Sequence, residues 1–259
     1  MNEPPDPPLA ERCVVVTRPR DQSGQLREQL EQLGARVISF PTIKIVPARD
    51  VAPLEAALER IRQYDWILLT SRNAVDAVAR TTKADVAEAL GEVQIAVVGT
   101  ATHRCLTDLG IQADFVPSQF NMETLCSELL QETTVDGQRF LYPCSDLADA
   151  EGPQPLRDAG AIVDAIEAYR TAPDDSADAD ALRRSLAADE IDAIVFASPS
   201  AVHAFFNRIP SHCVSQRVGL VSLGPKTTQA LQTAAPAQVT EARQAEVEGL
   251  TEAVIRAFG

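Results

Sequence analysis

Short runs of β-branched and aliphatic residues alternate along this chain with stretches whose apolar positions recur every three or four residues. Uniformly apolar runs read as strands buried on both faces, and the longer period reads as amphipathic helix. Strands are predicted at 13–17, 67–70, 95–98, 140–142, 191–196 and 218–223. Helices lie between them; over 22–33, Leu26, Leu30 and Leu33 share one face and Gly34 supplies the C-terminal stop. Strand and helix in regular alternation predict an α/β protein with parallel sheets.

The pattern is used twice. Residues 65–77 (DWILLTSRNAVDA) align with 192–204 (DAIVFASPSAVHA) at a constant offset of 127. Gly99 matches Gly224 at an offset of 125, while Gly34 and Gly160, and Pro47 and Pro173, match at 126. Repetition at one period over most of the chain implies two equivalent halves. Two segments differ from the other strands: 36–47 and 161–173 are extended runs longer than one ordinary strand. Paired side by side, they would connect two lobes by two crossings, with a cleft and a hinge. The acidic run 174–180 reads as a solvated helix N-terminus ahead of Arg183 and Arg184, not as a metal site.

Composition narrows the function. The chain has 259 residues, 23 Lys and Arg against 37 Asp and Glu, and a formal net charge of -14. Nucleic-acid binding runs on a basic surface, and the anionic face of a membrane attracts the same kind of surface, so neither partner is expected. Residues 1–10 are proline-rich, polar and acidic, and read as a disordered tail with neither the basic nor the apolar region of a signal peptide. No apolar run approaches the roughly 18 residues of a membrane-spanning helix, and a cytoplasmic protein is expected. Cys13, Cys105, Cys126, Cys144 and Cys213 are scattered with no C-x-x-C and no histidine at ligand spacing, so free thiols and no metal site are expected. With three histidines and no G-x-S-x-G elbow, a hydrolytic triad is not supported.

Candidate chemistry gathers at the carboxyl ends of the predicted strands, where the next helix presents unpaired N–H groups. These junctions are Thr17-Arg18-Pro19-Arg20, Thr70-Ser71-Arg72-Asn73, Gly99-Thr100-Ala101-Thr102, Pro143-Cys144-Ser145, Ser198-Pro199-Ser200 and Gly224-Pro225-Lys226-Thr227. Amides and hydroxyls in this number suit a ligand with several carboxylates or phosphates, whereas at a single junction helix capping accounts for the same residues. None is a G-x-G-x-x-G or P-loop fingerprint, so no nucleotide or redox cofactor is implied. Trp66 reads as core, Tyr64 as the start of its strand, and His103 as an exposed helical residue.

At these residues the chain resembles the uroporphyrinogen-III synthase family. The matching pieces are Val16-Thr17-Arg18-Pro19, Phe40-Pro41, the segment from Asp65 through Ser71, Asn73 and Val75, Val98-Gly99-Thr100-Ala101-Thr102, Ala168-Tyr169-Arg170-Thr171, Phe196-Ala197-Ser198-Pro199-Ser200, and Leu223-Gly224-Pro225-Lys226-Thr227-Thr228. Each is short; their order and spacing over nearly the whole chain carry the likeness. The resemblance implies two similar α/β lobes of HemD-like, flavodoxin-like build, each a parallel sheet flanked by helices, joined by a two-stranded linker ladder. One lobe would be discontinuous, 11–39 plus 174–259, with linker strands 40–47 and 169–173 and a second lobe 48–168.

The resemblance also implies the reaction: a cofactor-independent hydro-lyase of tetrapyrrole biosynthesis, leading to haem, sirohaem or cobalamin. It would cyclise hydroxymethylbilane with loss of water and inversion of ring D through a spiro intermediate. Tyr169 matches the family's connector tyrosine and is the expected catalytic group. Thr17, Arg18, Ser71, Gly99, Thr100, Ala101, Thr102, Ser198, Ser200, Gly224, Lys226 and Thr227 are the expected substrate-binding residues. Lys226 departs from the small or hydroxyl residue often found at its place. The segment from Cys144 to Ala148 lacks the arginine expected shortly after its serine. Hydroxymethylbilane synthase is a candidate partner for substrate hand-over, and a monomer is expected. A second reading is a hinged two-lobe small-molecule binding or sensor protein; the missing signal peptide and the missing DNA-binding or membrane segment argue against it.

Overall fold

The structure, a computed structural model, describes residues 6–82, 85–148, 151–235 and 238–258. The chain divides into two compact units, one made of Met1–Lys44 and Ala172–Gly259, the other of Ile45–Thr171. Each is built on a five-stranded sheet with helices on both faces.

The discontinuous unit begins with β1 (Cys13–Val16), α1 (Gly24–Gln32) and β2 (Arg36–Ser39). The chain then enters the second unit, whose elements are β3 (Ile43–Pro47), α2 (Ala52–Leu58), β4 (Trp66–Leu69), α3 (Arg72–Thr81), α4 (Val86–Leu90), β5 (Gln94–Val97), α5 (Thr100–Asp108), α6 (Met122–Glu132), β6 (Arg139–Ser145), α7 (Gln154–Asp158) and β7 (Ile162–Pro173). It returns with α8 (Ala179–Ala187), β8 (Ala193–Phe196), α9 (Pro199–Arg208), β9 (Gly219–Ser222), α10 (Pro225–Ala234), β10 (Val239–Glu241) and α11 (Val247–Arg256).

The first sheet runs β10-β9-β8-β1-β2, all parallel. Numbered within the unit this is the doubly wound order 2-1-3-4-5, in which the direction of winding reverses between β1 and β8. The second sheet runs β3-β7-β6-β4-β5, and its reversal falls between β4 and β6. The internal repeat maps one sheet on the other strand by strand: β8 on β4, β9 on β5, β1 on β6, β2 on β7. Even the outermost pairing is shared. Val221 pairs with Thr240 in the first sheet, and Ala96 forms a parallel bridge with Phe115, 125 residues earlier in each case.

The uniformly apolar runs are buried on both sides because each sheet is covered twice. In the first unit Val15, Ile194, Phe196 and Leu220 join the side chains of α8, α9 and α10. Val14, Val16, Val195 and Val221 meet α1 and α11 on the opposite face. In the second unit Ile67, Leu69, Ile95 and Val97 pack on α2, α3 and α5, and Trp66, Leu68 and Phe140 on α6 and α7. Each such burial is worth about 1.5–3 kcal/mol, enough in sum to drive both units. Trp66 is core as predicted: its ring stacks on Phe140, and its indole N–H donates to Gln138. Tyr64, at the start of β4, donates to Asp164 at 2.7 Å.

Two expectations change. Segment 36–47 is not one extended run: it breaks at residues 40–42, where Phe40 turns into the core against Phe205, while β7 runs unbroken for 12 residues. The tail also ends sooner than composition suggests. Its first five residues lie outside the described set, but Leu9 is fully buried, packs with Leu26 and Leu30, and its N–H donates to the Leu33 carbonyl. An apolar side chain within reach of the bare end of α1 gains more from burial than the segment loses in freedom. In the acidic run, Asp178 caps α8 by accepting from the N–H groups of Asp180 and Ala181, and these bonds hold its carboxyl below the usual range.

Candidate functional site at the carboxyl ends of the strands

In the second unit, β4 delivers Ser71 to the first turn of α3, beside the point where the sheet reverses. Ser71 is extended (φ -155, ψ 153), and its hydroxyl oxygen accepts the Ala74 N–H at 3.1 Å, a helix N-cap. The same oxygen lies 2.9 Å from the Tyr169 hydroxyl on β7, a residue 98 positions away. Ser71 accepts the Ala74 amide with one lone pair and keeps a second lone pair and its own proton, so either hydroxyl can donate in the Ser71–Tyr169 pair. The Asn73 side chain bonds the phenol as well. Tyr169 is buried, and burial is the main influence on its acidity: it pushes the phenol above the ordinary tyrosine range, against the opposing pull of Ser71 and Asn73. The neighbouring Cys144 and Asp146 push the same way as burial. This hydroxyl is therefore a proton donor at neutral pH.

A second junction of the same unit follows β5. Gly99 is the N-cap of α5 with φ +93 and ψ 146, and no side chain caps the helix there. The first-turn amides stay uncovered, and the helix dipole makes them a site for negative charge. Thr100 is half-buried, Ala101 exposed, and Thr102 buried beneath the turn.

The first unit repeats both junctions. Ser198 caps α9 with nearly the same angles, φ -156 and ψ 155, and accepts the Ala201 N–H at 3.2 Å. Gly224 opens α10 without a side-chain cap, as Gly99 opens α5. Lys226 is exposed, Thr227 is buried like its counterpart Thr102, and Ser200 and Arg18 are half-buried. The repeat fails at one place that matters. The counterpart of Tyr169 is Ile43, so no phenol reaches Ser198 from that position, and Asn73 is replaced by Ser200. Of the two equivalent junctions only Ser71 has a hydroxylic partner from the extended strand.

The family model described as uroporphyrinogen-III synthase HemD matches residues 24–252, most of the chain. The chain belongs to the uroporphyrinogen-III synthase family. It is 33% identical over 256 residues to the uroporphyrinogen-III synthase of Synechococcus elongatus, covering 95% of this chain and 96% of the relative. A mutant uroporphyrinogen III synthase from Thermus thermophilus superposes with a TM-score of 0.64 at 18% identity, over 95% of this chain and 98% of that one. The Helicobacter pylori uroporphyrinogen-III synthetase gives 0.62 at 13% identity, over 95% and 99%. At such low identity these two establish the shared two-lobe α/β fold. The family works in tetrapyrrole biosynthesis, and its enzymes are hydro-lyases.

Within that family framework the expected residues separate by what their side chains do. Thr17 is fully buried, and its hydroxyl is spent on the Val195 carbonyl at 2.8 Å, so it ties β1 to β8. Ser198 is a helix cap. Ser71 is a cap and also a partner of Tyr169. Gly99 opens α5 without a side-chain cap; at Gly224 the first turn of α10 is poorer in donors, because Pro225 has no N–H and the Thr227 N–H donates to the Gly224 carbonyl. The sequence pointed to the Thr70–Asn73 junction and to the loop after β6, but not to the contacts of Asn73 and Asp146 with Tyr169 and its strand, because those depend on strand order and register, which no local pattern encodes. Among the described residues no cluster of three metal-ligating side chains occurs and no helix is long and apolar enough to cross a membrane. Burial raises the thiols of Cys105 and Cys126 to about 11, which leaves them protonated.

Proposed function

We propose that this chain converts hydroxymethylbilane into uroporphyrinogen III, with Tyr169 assisting departure of the substrate hydroxyl. The family membership carries the substrate class, and the 2.9 Å pairing of Ser71 with a buried, protonated Tyr169 carries the role of the phenol.

The phenol donates to the terminal hydroxyl of the bilane as the C–O bond breaks. Water leaves, and the ring nitrogen gives up its proton to re-form the phenol from the phenolate as the azafulvene is made. Ring D then attacks through its substituted carbon, the spiro intermediate fragments and recombines, and the macrocycle closes with ring D inverted. Ser71, 2.9 Å from the phenol oxygen, can turn its proton toward it and steady the charge that grows there as the phenol proton moves away. In the second unit the uncapped amides after Gly99 suit a carboxylate of the bilane, and in the first unit the Lys226 N–H and side chain and Arg18 do. An acidic chain holding a poly-anion depends on such local groups instead of overall attraction. Without a template the bilane closes uninverted to the type I isomer. A hundredfold preference for the spiro route needs only about 2.7 kcal/mol of differential barrier, within reach of a few well-placed hydrogen bonds. The setting is the cytoplasm, with the bilane received from the synthase that makes it.

The test supplies freshly made hydroxymethylbilane and resolves type I from type III product. The expected outcome is a type III excess over the enzyme-free control; an unchanged isomer ratio refutes the assignment.

A further inference from the structure

The strand that carries Tyr169 is gripped by a single residue of the loop after β6. The ladder between β6 and β7 is regular up to Cys144 and Glu167, then skips Ala168 in a bulge and resumes with Ser145 opposite Tyr169. A bulge loosens pairing and lets a strand twist. Here the loss is made good by Asp146. Its N–H donates to the Tyr169 carbonyl at 3.1 Å. Its Oδ1 accepts the Thr171 N–H at 3.0 Å, and its Oδ2 faces the Arg170 Nε at 3.5 Å. Ser145 donates its hydroxyl to the same Oδ1 at 3.1 Å, which fixes the carboxylate from the loop side.

We propose that Asp146 is a positioning residue for the reaction: it clamps residues 169–171 and so sets where the Tyr169 hydroxyl stands relative to Ser71. The proposal rests on the role given to Tyr169 above. Backbone bonds at and just after a reactive residue hold the course of the strand that carries it, and small misplacements of such a group are expensive in rate. The main contact is geometric, because an amide oxygen could accept from Thr171 as well as a carboxylate does.

The experiment measures kcat and KM for type III formation in Asp146→Ala, Asp146→Asn, Tyr169→Phe and the Asp146→Ala/Tyr169→Phe double variant of the full chain. Asp146→Ser, whose hydroxyl is too short to span to Thr171, stands in where Asp146→Ala does not fold. Asp146→Ala or Asp146→Ser is expected to lose about tenfold in kcat with KM within twofold, and Asp146→Asn to restore kcat to within about threefold of the parent. In the Tyr169→Phe background the Asp146 substitution is expected to cost less than about twofold, since the two act as one unit. Fluorotyrosine incorporation adds a readout in the folded protein: of the three tyrosine signals, the one lost in Tyr169→Phe should move on removal of Asp146 and return in Asp146→Asn. An equal loss from the Asp146 substitution in both backgrounds overturns the proposal, as does an Asp146→Ala protein with parental kcat. If Tyr169→Phe itself turns over at the parental rate, the reading of Tyr169 fails, and the clamp falls with it.

Discussion

Gly99 and Gly224 occupy equivalent places in the repeat, open equivalent helices and lack a side-chain cap, yet substitution by alanine should separate them cleanly. Gly99 has φ +93 and ψ 146, a region that side chains with a Cβ rarely enter. Placing alanine there costs about 1–3 kcal/mol in backbone strain, and the loss falls on the second unit. Gly224 has φ 178 and ψ -179, ordinary extended backbone open to any residue, and a Cβ added to it meets nothing within 4 Å. Alanine at Gly224 gains about 0.4–1 kcal/mol from a less flexible unfolded chain and loses a similar amount as a poorer N-cap, so the net is near zero. At about 2 kcal/mol, Gly99→Ala should lower the melting temperature by about 4–8 °C, and Gly224→Ala should move it by less than about 2 °C. Gly224→Ala nonetheless places a methyl group beside the Lys226 N–H at the start of α10, where a ligand carboxylate has to approach. Its KM for the bilane should rise about tenfold, the loss of one charge-assisted hydrogen bond. Thermal melts with the type III assay on both variants decide the matter. A Gly224→Ala protein that melts as low as Gly99→Ala refutes the conformational argument, and one with parental KM refutes the use of the Lys226 N–H.

Tyr169→Phe should reduce the type III rate at least tenfold while costing about 1–3 kcal/mol of stability, since the hydrogen bonds to Ser71 and Asn73 are lost and the ring stays packed; a parental rate in the product assay removes the phenol from the mechanism. Ser71→Ala and Ser198→Ala should each lose about 1 kcal/mol as N-caps in urea titrations, but only Ser71→Ala should also slow turnover strongly, because only Ser71 touches a phenol. The pH dependence follows from the raised pKa values of Tyr169 and Tyr64, for both of which burial is the leading cause. A group whose folded pKa lies above its unfolded value contributes stability that is complete below the unfolded pKa, about 10 for tyrosine, and is lost as pH rises through the folded value. Melting temperature and the phenol-dependent rate should therefore hold across neutral pH and decline only above about pH 10; a fall centred near neutrality would contradict a protonated phenol as the donor.

The alternation of apolar runs with amphipathic stretches was enough to place both sheets, because a strand buried on two faces needs an unbroken apolar run whatever its neighbours are. The repeat was legible for the same reason: Asp65 and Asp192, Ser71 and Ser198, and Gly99 and Gly224 do the same local work in each half, and local work leaves local patterns. The resemblance added Tyr169. The chain did not disclose which hydroxyls are spent inside the fold. Thr17 and Ser71 look alike as strand-end hydroxyls, but the register of β1 beside β8 commits one to Val195, and the order of β4, β6 and β7 brings the other to Tyr169. Leu9 looked like part of a tail until α1 offered it a surface. Asp146 stood in a loop with no motif, and its grip on residues 169–171 exists only because a bulge puts Ser145 opposite Tyr169.

The division has one physical cause. Periodicity and capping depend on residues within a turn or two of each other, so they are written in the order of amino acids. A hydrogen bond between residues 98 positions apart depends on strand order, register and bulges, which come into being when the sheet assembles. For this chain the sequence determined the uniformly apolar strands and the twofold plan; the assembled sheets added the edge strand β10, broke segment 36–47 in two, and decided that of two equivalent serines one caps a helix and the other also holds a phenol.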